Sequence, residues 1–201
     1  ERKILSMERV FPEDWTRDGR YIVYGLIAGQ KKLMKIYSLA GETKQESLME
    51  TDYITDEYQV SPDGQWLAYI ANESGRNEIY VQPFHRSGER MRISTNGGGQ
   101  PRWRRDGKEL FFLALNGMLM AADVKQVHNV IDIGTPKPLF DTHIRVQSVI
   151  DQYVVSNDGQ QFIVITPLNT VCFECFECHI CIIFNFCLLF FRARNKSLFC
   201  V

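Results

Sequence analysis

From Trp15 to Val164 the chain alternates short apolar runs with polar segments rich in glycine, proline, asparagine and aspartate. The runs are too short and too apolar for surface helices, and their β-branched and aromatic content suits strands buried on both faces. The alternation has a period. An Asp-Gly pair recurs at Asp18-Gly19, Asp63-Gly64, Asp106-Gly107 and Asp158-Gly159, at intervals of 45, 43 and 52 residues. Each pair follows an apolar residue three places before the aspartate: Trp15, Val60, Trp103 and Val155. Each precedes an apolar triplet: Ile22-Val23-Tyr24, Leu67-Ala68-Tyr69, Leu110-Phe111-Phe112 and Phe162-Ile163-Val164. This is strand, tight turn, strand. In Ser61-Pro62-Asp63-Gly64 the proline presets φ, the aspartate can bond nearby backbone, and Gly64 can take positive φ without a Cβ clash.

In the first three units a further run follows 10–15 residues later: Leu33–Tyr37, Glu78–Val81 and Met118–Ala122. A fourth closes some units, as at Arg90–Ser94 and Lys137–Phe140. About four short strands per ~40–45 residues is the spacing of a β-propeller blade. No helical period of useful length appears, which excludes a helical solenoid. A β-sandwich predicts no self-similarity between hairpins. The fold class expected is therefore all-β, a partial β-propeller.

The segments WTRDGRYIVY, VSPDGQWLAYIANESGRNEIYVQPF and STNGGGQPRWRRDGKELFFLALNGMLMAADV closely resemble the TolB-type, WD-repeat-like propellers of bacteria. They look most like the version often found C-terminal to a serine/threonine kinase or winged-helix domain. The resemblance runs from about Asp14 to Leu168, over three full units and the start of a fourth. At about 45 residues per blade, residues 14–169 supply about three and a half blades, read as an arc of a six-bladed ring whose remaining blades lie upstream. A chain opening at Glu1 without an initiator Met or a leader reads as a piece of something longer.

Composition breaks near Thr170. All 14 glycines and all 7 prolines precede it, whereas all 6 cysteines follow: Cys172, Cys175, Cys178, Cys181, Cys187 and Cys200. Residues 1–169 are expected to form the propeller repeats and 170–201 a Cys/Phe-rich tail outside the fold. The tail offers two sharper readings. Cys172 to Cys181, with His179 inside, has thiolate spacing for a metal or a cluster, but lacks Gly or Pro to wrap the backbone and lacks a second knuckle. Residues 171–191, followed by Arg192, Arg194 and Lys196, have the length of a membrane span, but Glu174, Glu177, His179 and Asn185 interrupt it. The preferred reading is a mis-joined, aggregation-prone end, because it has no turn residues to specify strand pairing.

A formal charge of -1 gives no reason to expect nucleic acid or an anionic membrane as partner. A membrane enters only if 171–191 spans it. The body has no cysteine and no G-x-S-x-G elbow, and its three histidines, His85, His128 and His143, are scattered. His85, after Pro83-Phe84, reads as a strand-end residue. Gly97-Gly98-Gly99 precedes no helix and reads as an interblade turn rather than a phosphate cradle. The repeated aspartates read as turn formers. Arg102, Arg104, Arg105 and Lys108 are diluted by Asp106 and Glu109 and read as a solvated face. Trp15, Trp66 and Trp103 read as blade-packing residues. Glu73-Ser74-Gly75-Arg76 is a polar hairpin tip that could meet a ligand. No catalytic, cofactor-binding or metal-ligating residue is nominated in the body, and no cofactor is expected.

The resemblance implies a non-catalytic module that binds a protein or peptide at its rims or channel. The alternative is the substrate-gating propeller of a prolyl oligopeptidase-like hydrolase whose catalytic domain lies elsewhere. A body without cysteines is compatible with the cytoplasm and the periplasm, an extracytoplasmic place being slightly favoured.

Overall fold

The computed structural model describes residues 10–28, 31–40, 45–49, 51–128, 130–146, 151–167, 181–183, 186–192 and 198–199. These residues form antiparallel sheets and no helix. The first sheet is β1 (Val10–Trp15), β2 (Tyr21–Ala28), β3 (Lys31–Ser38) and β4 (Gln45–Met49), paired in that order. The second is β5 (Thr55–Val60), β6 (Trp66–Ala71), β7 (Glu78–Pro83) and β8 (Met91–Arg92). The third begins with β9 (Gly99–Trp103), β10 (Glu109–Leu113) and β11 (Met118–Val127). The fourth begins with β14 (Tyr153–Val155) and β15 (Gln161–Pro167). Each is a meander of the expected unit.

The four Asp-Gly turns bond alike. In each, the aspartate Oδ1 accepts the N–H two residues on: Arg20, Gln65, Lys108 and Gln160. In three, the residue two before the aspartate (Thr16, Ser61 or Ser156) offers its hydroxyl to that carboxylate and accepts the N–H that opens the next strand. In the third sheet Arg104 takes this place, and its guanidinium grips Asp106 instead. The aspartates are turn formers, as their spacing implies.

Side chains along the second strands alternate between two interfaces, which is why the triplets are apolar throughout. Leu67, Tyr69 and Ala71 join Val23, Met34 and Ile36 of the first sheet. Trp66, Ala68 and Ile70 join Trp103, Leu110 and Phe112 of the third. Phe111 and Leu113 turn the other way, onto Tyr153, Phe162 and Val164 of the fourth. There Phe111 meets Phe162 edge to face, ring centres 5.1 Å apart.

The structure departs from expectation in two places. Trp15 is 63% exposed, whereas Val60 and Trp103, at the same place in the next two units, are buried. The preceding sheet covers the latter, and the Trp103 indole N–H donates to the Gln59 carbonyl; among the described residues no sheet precedes β1. Second, β11 runs past the sheet and folds back as β12 (Val130–Ile133) before β13 (Lys137–Asp141) returns along its first half. In the fourth sheet β15 pairs along its whole length, Gln161 to Pro167, with β17 (Phe186–Arg192). Two short strands, β16 (Cys181–Ile183) and β18 (Leu198–Phe199), pair with the far side of β17.

Candidate functional site

Neighbouring sheets touch through their first strands, and there the polar groups converge. Each of β1, β5 and β9 carries a register shift, at Pro12/Asp14, Asp56/Gln59 and opposite Phe111/Leu113. In β5 and β9 two residues stand against one, a β-bulge. The first of each pair, Glu57 and Gln100, takes a left-handed φ of 55° and 57°. That costs a non-glycine residue energy and re-aims its side chain out of the strand's alternation.

The re-aimed side chains cross to the next sheet. The Gln100 N–H donates to Glu57 Oε2. One sheet further on, the Gln152 N–H donates to Gln100 Oε1 at 2.8 Å, and Gln100 Nε2 returns a bond to Gln152 Oε1 at 3.0 Å. Glu57, Gln100 and Gln152 all stand three residues before the apolar anchor of their unit. The same clasp therefore closes two successive junctions. Pro12 holds this place in the first unit and has neither a polar side chain nor an N–H. The first junction is closed instead by Asp14, whose Oδ2 accepts the Val60 N–H at 2.7 Å. Tyr153, fully buried, donates its hydroxyl to the Gln100 carbonyl at 2.8 Å.

Charges surround the clasps. Arg102 pairs with Asp151 across the third junction. The Arg17 guanidinium donates to the Arg105 carbonyl at 2.8 Å, joining the turns of the first and third units. Burial is the main force on the Glu57 carboxyl and pushes it up to about 7; the nearby Asp56 and Asp151 add to this, while the Gln100 N–H and Arg102 oppose it. Burial also raises Asp14, against the N–H groups of Val60 and Trp15. Tyr153 is raised by burial as well.

Residues singled out from sequence fall in several places. The ring of His85, past the end of β7, lies 4.2 Å from Tyr21 and 4.3 Å from Phe84, centre to centre. His143 is exposed, with Nδ1 3.3 Å from Asp141, and His128 is exposed at the end of β11. The three histidines do not converge. The basic cluster is not the solvated face expected of it: Arg102 is paired as above, and Arg104 is largely buried and binds Asp106 and Glu109. Only Arg105 and Lys108 are exposed. Alternation signalled a half-buried strand, but the cross-sheet acid Asp151 is 49 residues away from Arg102 in sequence and gave no local sign. Gly97 to Gly99 do link two sheets, with Gly99 already in β9. Arg76 at the polar hairpin tip is tied to Glu78, and Glu73 to Arg90.

Of the cysteine run, Cys172, Cys175 and Cys178, with His179, lie outside the described residues, as does Cys200. So does much of the 171–191 segment. Among the described residues no helix is long and apolar enough to cross a membrane, and no group of His, Cys, Asp and Glu could hold a metal ion.

No family model and no curated protein matches this sequence. Solved structures do match. TolB from Acinetobacter baumannii is 17% identical with a TM-score of 0.68, the match covering 97% of this chain and 44% of that one. The Cps50 (Swd1) β-propeller domain of Myceliophteria thermophila is 12% identical at a TM-score of 0.51, covering 92% of this chain and 70% of that domain. A puromycin-hydrolyzing peptidase of Mycobacterium tuberculosis is 13% identical at 0.55, covering 92% and 36%. The chain thus spans under half the length of the TolB structure. Identities this low speak to architecture, and the architecture is that of a TolB-like β-propeller.

Proposed function

We propose that this chain is a non-catalytic propeller module that binds a protein or peptide partner within a larger multidomain protein. The observation that carries this reading is the employment of the first-strand polar groups. Glu57, Gln100, Gln152, Asp14 and Arg102 are each engaged in holding one sheet to the next. A catalytic pair needs a nucleophile and a base poised on substrate; here such groups build a scaffold, and its rims and outer grooves are the surface available for recognition. The test is an assay of the purified chain against peptide and ester substrates. Background rates are expected. Turnover that disappears on replacing His85, His128 or His143 would overturn the reading.

The second reading, a substrate-gating propeller beside a hydrolase domain, draws on the likeness to the mycobacterial peptidase. It requires a Ser-His-Asp domain encoded next to residues 1–169, and sequencing the parent locus decides it. Residues 170–201 are proposed to stand outside the propeller.

A further inference from the structure

Arg90 stands at the end of the connection between β7 and β8, and its side chain fills a cage that other segments build. The guanidinium carbon lies over two tyrosine rings, 4.9 Å from the centre of Tyr80 and 5.5 Å from that of Tyr53. Nη1 donates to the Tyr53 hydroxyl and Nη2 to the Glu73 carboxylate. Aromatic faces attract the cation while the hydroxyl and the carboxylate accept its outer N–H groups, so the cage suits a guanidinium on its face and its edge together.

The walls have supports other than Arg90. Tyr80 of β7 stacks on Tyr69 of β6, ring centres 6.0 Å apart, and the Tyr69 hydroxyl donates to Gln82 Oε1 at 2.9 Å. Tyr53 and Glu73 are joined through their chain neighbours. The Ile54 N–H donates to Asn72 Oδ1 at 2.8 Å, and the Asn72 N–H donates to the Ile54 carbonyl at 3.1 Å. The occupant is held less firmly. The strand after it, β8, pairs over Met91 and Arg92 alone. The Arg90 side chain is 30% exposed and that of Glu73 more so. At such exposure an ion pair and a cation–π contact are each weak. Rotation about the side-chain bonds carries the guanidinium into water and leaves the walls standing.

We propose that this cage binds an arginine side chain of a partner polypeptide, with Arg90 as a built-in occupant that the partner displaces. Two features set the ligand class. A quaternary ammonium could meet the rings but has no N–H to give Tyr53 and Glu73, so arginine is preferred to trimethyl-lysine. Ile54, exposed beside Tyr53, offers an apolar contact to a residue flanking the arginine, which favours a polypeptide over a free guanidinium compound. The proposal rests on the binding-module reading and gives it a place and a ligand. The probe is a fluorescein-labelled pentapeptide with arginine between two leucines, beside the same peptide with glutamine or trimethyl-lysine at the centre. Each is titrated onto the full 201-residue chain, Glu73→Gln, Arg90→Ala and the variant carrying both changes. The arginine peptide is expected to bind the parent saturably, and to bind Arg90→Ala at least about tenfold more tightly, because the tethered competitor is gone. Glu73→Gln should cost at least about tenfold in either background. Methylguanidinium at about 10 mM should raise the melting midpoint of Arg90→Ala and leave that of the parent unmoved, which tests the cage even where the variant is only marginally folded. No saturable binding to the parent, equal binding of the glutamine peptide, tighter binding of the trimethyl-lysine peptide, or no response of Arg90→Ala to methylguanidinium would overturn the proposal. Any of these would remove the cage as a site and leave the hydrolase assay to judge the module reading by itself.

Discussion

Glu57 is a carboxylate where its two successors in the repeat, Gln100 and Gln152, are amides. An amide accepts the next sheet's N–H equally well, as Gln100 does for Gln152, so the charge at 57 adds desolvation without adding a bond. Its folded pKa of about 7 lies above the ordinary 4.5. The folded state therefore holds this proton more tightly than the unfolded state does. The contribution is fully favourable below pH 4.5 and is lost as pH rises to about 7, at a cost of at most about 3 kcal/mol. Glu57→Gln should accordingly melt with the parent near pH 4.5 and above it at pH 8; coincident melts at both pH values would refute the clasp. The turn glycines give a second residue-scale contrast. Gly64 sits at φ +72° with open space where a Cβ would go, so Gly64→Val should cost roughly 1–3 kcal/mol for backbone strain and β-branching alone. At Gly159 a Cβ would come within 2.6 Å of Arg104 Cδ and 3.1 Å of Phe111 Cζ. Gly159→Val adds a steric clash to the same strain, and urea denaturation should rank it below Gly64→Val.

Among the elements, the strands that follow the Asp-Gly turns were plain in the sequence because a strand buried on both faces must be apolar at every position. The β11–β12 excursion was not. Its residues Val124 to Ile133 alternate as any edge hairpin does, and Lys125, Gln126 and Asp132 gave no hint that Val124 and Ile131 reach the core between the second and third sheets. The clasps were equally hidden, since a glutamine before a strand carries no sign of a bulge or of the sheet it will bond. The excursion makes its own prediction. Ile131→Ala should cost about 2–4 kcal/mol, as truncation of a core side chain does, while Val130→Ala, 68% exposed at the tip, should fall within about 0.5 kcal/mol of the parent. Similar losses at both positions would mean that the hairpin is not docked through Ile131.

At the scale of the whole molecule, the three interfaces between sheets draw all their described core residues from Val23 to Val164. Deleting 170–201 leaves every one of them in place, though it removes the strand beside β15. If the tail stands outside the fold, circular dichroism should show the β content of the remaining sheets unchanged, the thermal midpoint should hold and solubility should rise. A large fall in midpoint would instead make β17 an integral strand of the fourth sheet. The clasps bear on a different matter, how such a chain can change over generations. Each takes a side chain from one unit and a backbone N–H from the next; the Gln152 side chain adds a second bond at the third junction, but the bond common to both junctions asks only for the receiving unit's N–H. A duplicated or transplanted unit is then compatible with whatever follows it, provided that it carries Glu or Gln at its own bulge and that the newcomer's residue at that place is not proline. Pro12 can neither receive a clasp from a unit set before it nor offer one to the unit after it, so insertion after the second or third unit is the exchange this architecture tolerates.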